Sequence, residues 1–147
     1  MTRQAPQADA LQTLLARWKQ GKIGLASPVT ARRVREAFTA AGGRATGDLV
    51  RMYGVVGGMD DCDEDGWTLQ APEVVARSDP ATNRFGTVFS DYLHSSWFFR
   101  ARPVSEDVSE IYLDLGNHRQ AMLVATSLDA FLDALASDPM SVLLPPT

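Results

Sequence analysis

The residues with the clearest chemical potential form an acidic run in the middle of the chain. Five of its six positions carry carboxylic acids: Asp60, Asp61, Asp63, Glu64 and Asp65. So many like charges cannot be buried together, because each unpaired carboxylate has a large cost of desolvation. The run therefore predicts an exposed loop whose charge could attract a cation or a basic macromolecular surface.

The acidic run resembles the beginning of an EF-hand calcium loop. Four residues match the first, third, fifth and sixth positions of that pattern: Asp61, Asp63, Asp65 and Gly66. The pattern then fails, because Pro72 stands at the twelfth position, where a glutamate should provide two ligand oxygens. The residues that follow also indicate a short strand where an EF-hand has a helix. We therefore expect an acidic surface loop and no metal site.

Histidine is the other residue type that could do chemistry, and the chain contains only His94 and His118. A small hydrolase would pair His94 with a nearby serine or with Asp91. However, neither a Gly-x-Ser-x-Gly elbow nor a phosphate-binding glycine-rich loop occurs. Cys62 and the two histidines also lack any recognised zinc-ligand spacing. We expect no catalytic residue, metal or cofactor, with a hydrolase based on His94 as the alternative.

Aromatic and basic residues are interleaved between Trp97 and Arg102, as in surfaces that stack on single-stranded nucleic acid. Against that function stand the formal net charge of −4 and the pI near 5.0. Phosphates are repelled by an acidic surface, and half of the aromatics must face a core if this segment is a strand. We expect binding neither to nucleic acid nor to a membrane.

Composition indicates an ordinary globular protein. The chain has 147 residues, 45% of them hydrophobic and 22% charged, which suits one domain over residues 1–147 with tails at 1–8 and 140–147. Cys62 is the only cysteine, so no internal disulfide can form. The N-terminus lacks the apolar core of a signal peptide, and no apolar run approaches the length that spans a bilayer. A cytoplasmic location is expected.

The elements that must position these residues are clearest between Gly86 and Ala136. Apolar residues alternate with polar ones through Trp97–Arg102 and Ile111–Leu115, which predicts antiparallel strands. A helical spacing follows in Leu128, Phe131, Leu132 and Leu135. Earlier segments predict three amphipathic helices: one capped by Asp9, one after Ser27-Pro28, and one that ends at Gly57-Gly58. The fold class is therefore α+β, a mainly antiparallel sheet of about four to six strands flanked by N-terminal helices and a C-terminal helix.

The order of these parts resembles the SUKH superfamily, which includes bacterial immunity proteins and a fungal cell-wall-assembly regulator. The resemblance rests on DLVRMYGVVGGMDDCDEDGWTLQAPEVV, on FGTVFSDYLHSSWFFRARP and on SEIYLDLGNHRQAMLVATSLDAFLDALASDP. Within them lie a helix ending in Tyr53 before a small-residue turn, the strand end Phe89-Ser90-Asp91, and a last strand leading into a helix. Two positions depart from the family pattern: Gly57-Gly58 replaces Asn-Gly, and Ser95-Ser96 replaces a turn with glycine.

The resemblance implies an α+β protein without shared catalytic residues, since many SUKH members bind and neutralise toxins, often nucleases. We therefore expect a non-catalytic cytoplasmic immunity protein whose partner is a toxin domain encoded by an adjacent gene. A regulatory protein-binding adaptor is the alternative, and the oligomeric state stays open. Six residues are predicted to contact the partner, the last as an aromatic anchor or, alternatively, as strand core: Asp60, Asp61, Asp63, Glu64, Asp65 and Trp67.

Overall fold

An antiparallel sheet of five strands forms the scaffold of the protein. The computed structural model describes residues 6–116 and 120–143. The strands are β1 (Trp67–Leu69), β2 (Thr87–Tyr92), β3 (Trp97–Pro103), β4 (Ser109–Asp114) and β5 (Met122–Ala125). Each strand pairs with the next one in sequence, so the order is β1-β2-β3-β4-β5. The predicted α+β fold with an antiparallel sheet is confirmed.

Residue alternation determines which face of the sheet is buried. Phe99 and Ala101 of β3 lie opposite Leu113 and Ile111 of β4, and all four side chains are buried. The residues between them are more exposed, as expected when successive side chains point to opposite faces. One face of the sheet therefore carries the core, and the other faces outward.

Helices cover the apolar face. They are α1 (Pro6–Gln20), α2 (Ala31–Ala40), α3 (Gly47–Tyr53), α4 (Pro72–Ala76) and α5 (Leu128–Ser137). Short 3₁₀ turns lie at Pro80–Asn83 and Pro139–Val142. The ring of Phe131 on α5 lies 5.0 Å from that of Phe99 and 6.1 Å from that of Phe89, centroid to centroid, so α5 packs on the middle of the sheet. None of the described helices combines the length and apolar character needed to cross a bilayer.

Helix ends are where the structure differs from the sequence-based predictions. The first helix begins at Pro6, not at a cap on Asp9, and α3 ends at Tyr53, before the glycine pair. The N-cap of α2 is Thr30, whose hydroxyl accepts a hydrogen bond from Arg33 N, not Ser27. At the other end, Val142 is buried against the core in the 3₁₀ turn Pro139–Val142, a position that was predicted to belong to a tail from 140.

The cap of α2 differs because the segment before it pairs with another loop. Gly57 N donates to Ala26 O at 3.0 Å, and Ala26 N donates to Gly58 O at 2.9 Å. The backbones approach so closely that a Cβ on Gly57 would lie 2.1 Å from Ser27 O, which only glycine avoids. The backbone bonds of Ala26 to Gly57 and Gly58 therefore keep this segment out of the helix, which begins at Ala31.

Candidate partner-binding surface

Asp63 anchors the acidic loop from inside. The residue is only 7% exposed, and its Oδ2 accepts a 2.9 Å hydrogen bond from Nε1 of Trp18 on α1. Its Oδ1 accepts hydrogen bonds from the backbone N–H groups of Asp65 and Trp67, at 2.9 and 3.0 Å. These donors satisfy a buried carboxylate, as burial requires. Asp63 therefore shapes the loop and presents little surface for the partner contact that the sequence predicted.

Trp67 is likewise interior. It is 2% exposed, and its ring stacks on that of Trp18 with centroids 5.5 Å apart and an interplanar angle of 14°. The ring of Phe131 lies 6.2 Å away on the α5 side. Trp67 is therefore strand core, as the alternative interpretation of the sequence had it, and it presents almost no surface as an aromatic anchor for a partner.

Four acidic side chains remain for contact, and we call them the acidic rim: Asp60, Asp61, Glu64 and Asp65. The first three are exposed and Asp65 is half-buried. Asp60 is fixed, because its Oδ1 accepts a hydrogen bond from Gly24 N at 2.9 Å. Within residues 6–116 and 120–143, no lysine or arginine forms an ion pair with a rim carboxylate. The rim is thus a preorganised patch of uncompensated negative charge.

The turn between β2 and β3 places an apolar side chain beside the rim. Leu93 N donates to Gly66 O at 2.8 Å, which attaches this turn to the end of the acidic loop. A Cβ on Gly66, where φ is +88°, would lie 2.8 Å from Leu93 Cδ2. Leu93 is nevertheless 49% exposed. Sequence reasoning missed it, although a leucine in a polar turn segment is an unusual choice that could have been noticed.

A groove lies between the C-terminal end of α1 and the acidic loop. It measures about 600 Å³ and is lined by Arg17, Gln20, Gly21, Ile23, Cys62, Asp63 and Glu64. The guanidinium of Arg17, which also lines this groove, donates to Ala136 O at 2.6 Å at the end of α5. The groove therefore offers an apolar wall at Ile23 and an acidic edge at Glu64.

The serines near His94 do not form a hydrolytic site with it. The Ser90 hydroxyl donates to Thr68 O at 2.8 Å, and the Ser96 hydroxyl donates to Leu93 O at 2.7 Å. The Asp91 carboxylate accepts hydrogen bonds from Ser95 N and from Gln70 Nε2, both at 3.3 Å. The described residues therefore show no serine–histidine–carboxylate arrangement.

Cys62 lies beside His94, with Sγ 3.8 Å from Nε2. Partial burial raises the pKa of the Cys62 thiol above its ordinary value, and the Asp61 carboxylate raises it further. A catalytic cysteine needs the opposite shift, since the thiolate is the nucleophile. This pair therefore lacks the electrostatics of a nucleophile and its base.

The calcium pattern is not realised as a binding loop. The third position of the pattern is Asp63, whose two oxygens face N–H donors of the protein. Asp63 is also only 7% exposed, so its carboxylate lies inside the protein and not on the surface of the loop. The loop also runs into the strand that begins at Trp67, where an EF-hand continues as a helix.

The aromatic–arginine segment is structural as well. Arg100 Nε donates to Asp114 Oδ2 at 2.8 Å, and its Nη1 donates to Gly86 O, also at 2.8 Å. Phe99 is buried, and the ring of Trp97 stacks on Tyr92. The rings of Trp97 and Phe99 and the guanidinium of Arg100 are therefore occupied within the protein. His118, predicted as a solvated hairpin residue, lies outside the described residues.

Comparisons with known proteins do not place this chain in a family. No protein-family model matches the sequence, and no curated protein matches it either. The SUKH resemblance therefore stays a prediction, and the site has to be judged by its own geometry.

Two buried tryptophans give a direct test of the Asp63 anchor. Trp18 donates to Asp63, whereas Trp67 Nε1 has no hydrogen-bond partner among the described residues. We expect Trp18→Phe to lower the free energy of unfolding by about 1–3 kcal/mol more than Trp67→Phe, because only the first leaves a buried carboxylate short of a donor. Urea denaturation of both variants measures the difference. Equal losses, or a larger loss for Trp67→Phe, would show that the hydrogen bond contributes nothing.

Proposed function

We propose that this protein is a non-catalytic cytoplasmic immunity protein that binds and neutralises a basic toxin domain, such as a nuclease. The acidic rim is the observation that carries the proposal. Asp60, Asp61, Glu64 and Asp65 concentrate unpaired carboxylates on one fixed loop. A nuclease groove is basic because it binds phosphates, so the rim is complementary to it.

The rigidity of the loop supports this function. Asp63 fixes the inside of the loop through Trp18, and Asp60 is held to Gly24 N. A loop that is already ordered loses little conformational entropy on binding, so more of its interaction energy becomes affinity. The rim therefore acts as a fixed template of negative charge.

The surroundings of the rim provide the apolar part of an interface. Leu93 is exposed beside the loop, and the groove presents Ile23 with Glu64 at its edge. A lysine or arginine of the partner can lay its aliphatic stem along Ile23 while its charge meets Glu64. Leu93 replaces Trp67 as the apolar contact in this proposal.

Protection of cells tests the proposal. We expect that co-expression with the toxin encoded by the adjacent gene keeps cells viable, and that the variant Asp60→Asn, Asp61→Asn, Glu64→Gln, Asp65→Asn loses this protection. The loss follows because association steered by charge slows by about 10-fold or more when that charge is removed. Colony counts under graded toxin induction measure it.

A matched control separates position from net charge. The variant Asp9→Asn, Glu106→Gln, Asp107→Asn, Asp133→Asn removes the same four charges from exposed residues outside the rim. It should protect like the parent chain. Equal protection by the rim variant would remove the rim from the mechanism, and the absence of any toxin gene nearby would favour the adaptor alternative.

A further inference from the structure

The acidic loop and the turn between β2 and β3 bring three metal-ligating side chains together. Asp61, Cys62 and His94 each present one ligand atom, and these atoms all lie within 4.8 Å of one another. Cys62 and His94 are 32 positions apart in sequence, and their Sγ and Nε2 atoms are 3.8 Å apart. The fold, not sequence spacing, creates this cluster.

We propose that Asp61, Cys62 and His94 form a binding site for a zinc-class transition metal. A zinc ion lies about 2.3 Å from a cysteine sulfur and about 2.0–2.1 Å from a histidine nitrogen. At a tetrahedral angle these bonds place sulfur and nitrogen about 3.5 Å apart. The 3.8 Å separation of the Cys62 and His94 atoms is thus close to that of a bound pair.

The chemistry of the three ligands selects the ion. A thiolate and an imidazole suit zinc and cobalt, whereas calcium and magnesium prefer oxygen ligands alone. Binding forms a metal–sulfur bond while the Cys62 thiol releases its proton to solvent, with no redox change. The Asp61 carboxylate is the third ligand, and a water or a group from a partner completes the tetrahedron.

The backbone around His94 holds its ring near the loop before any ion binds. Leu93, His94 and Ser95 have φ angles of 50°, 52° and 70°, a left-handed conformation that is energetically costly for residues other than glycine. Hydrogen bonds from Leu93 N to Gly66 O and from Ser95 N to the Asp91 carboxylate oppose this cost. A strained turn kept in place at a ligand cluster is a feature of functional sites.

A bound ion would tie the acidic loop to the turn between β2 and β3. It would also reduce the local negative charge by about one unit, since the ion brings two positive charges and the Cys62 thiol loses one proton. The site does not depend on toxin binding, so it can be tested on the purified chain alone.

Cobalt provides the probe, because a tetrahedral cobalt ion bound to a thiolate has visible d–d bands and a sulfur-to-metal charge-transfer band. We expect the reduced full-length chain to bind one equivalent of Co²⁺ with both signatures, and Zn²⁺ to displace it. Cys62→Ser should abolish the charge-transfer band. His94→Gln and Asp61→Asn should each weaken binding by about 10-fold or more.

Three controls keep the test decisive. His118→Gln, Asp60→Asn and Glu64→Gln should bind Co²⁺ like the parent chain, because none of these residues is a proposed ligand. Circular dichroism of each variant verifies that the fold is intact. Any of three results would overturn the proposal and indicate adventitious surface coordination. They are an octahedral Co²⁺ spectrum, Co²⁺ binding that survives His94→Gln, and Co²⁺ binding that is lost with His118→Gln.

Discussion

Replacing Asp48 by alanine is expected to lower the free energy of unfolding by about 3–5 kcal/mol. The residue is 1% exposed, and its carboxylate accepts hydrogen bonds from the Thr46 hydroxyl and from three backbone N–H groups, those of Leu49, Ser109 and Leu128. These donors belong to the start of α3, the start of β4 and the start of α5. Alanine would leave all of them buried without this acceptor, so three elements would lose their common junction.

An asparagine at position 48 should be almost as damaging, although its shape is the same. One carboxylate oxygen of Asp48 accepts a hydrogen bond from Leu49 N at 2.8 Å, and the other accepts one from Ser109 N at 3.1 Å. Either orientation of the amide would therefore turn its NH₂ group toward a backbone N–H. Urea denaturation checks both variants, with Asp107→Ala as an exposed control that should change stability by less than about 0.5 kcal/mol. If Asp48→Asn were as stable as the parent, the proposed junction would be refuted.

Replacing Asp63 by alanine is expected to cost about 2–4 kcal/mol, because it leaves the Trp18 indole N–H and two backbone N–H groups without their acceptor. The effect should reach beyond stability, since the same bonds shape the acidic loop. Partner affinity should therefore fall, although Asp63 itself does not face the partner.

Glu64→Gln is the matched control for that variant. It removes a neighbouring charge that is exposed, so its effect on unfolding should stay within about 0.5 kcal/mol. Urea denaturation followed by tryptophan fluorescence measures stability and reports on the Trp18–Trp67 stack. An Asp63→Ala protein as stable as the Glu64→Gln protein would mean that the loop does not need its internal anchor.

The scaffold was predictable because its pattern is local. A few neighbouring residues are enough to show the alternation of apolar and polar side chains in Trp97–Arg102 and Ile111–Leu115. The same holds for the helical spacing around Phe131. The structure confirms the sheet and α5. The cap of α2 was not predictable, because Ser27-Pro28 and Thr30 both suit a helix start. The choice depends on backbone pairing with Gly57 and Gly58, far along the chain.

The candidate site was only partly predictable, for a similar reason. Composition identified the acidic loop, but charge alone cannot show that one of five acids points inward. Asp63 does so because Trp18, 45 positions away, supplies a donor. The approach of His94 to Cys62 is equally a product of the sheet, which brings the turn after β2 to the loop before β1.

The association rate constant with the proposed toxin domain, measured as a function of salt concentration, tests the acidic rim most directly. The adjacent-gene toxin, inactivated by mutation, serves as the partner for the parent chain, the rim variant and the off-rim variant with the same net charge. We predict that the parent and the off-rim variant associate rapidly and slow steeply as salt rises, while the rim variant is about 10-fold slower or more at low salt and nearly insensitive to salt. Equal rate constants and equal salt dependence for the rim and off-rim variants would contradict the account.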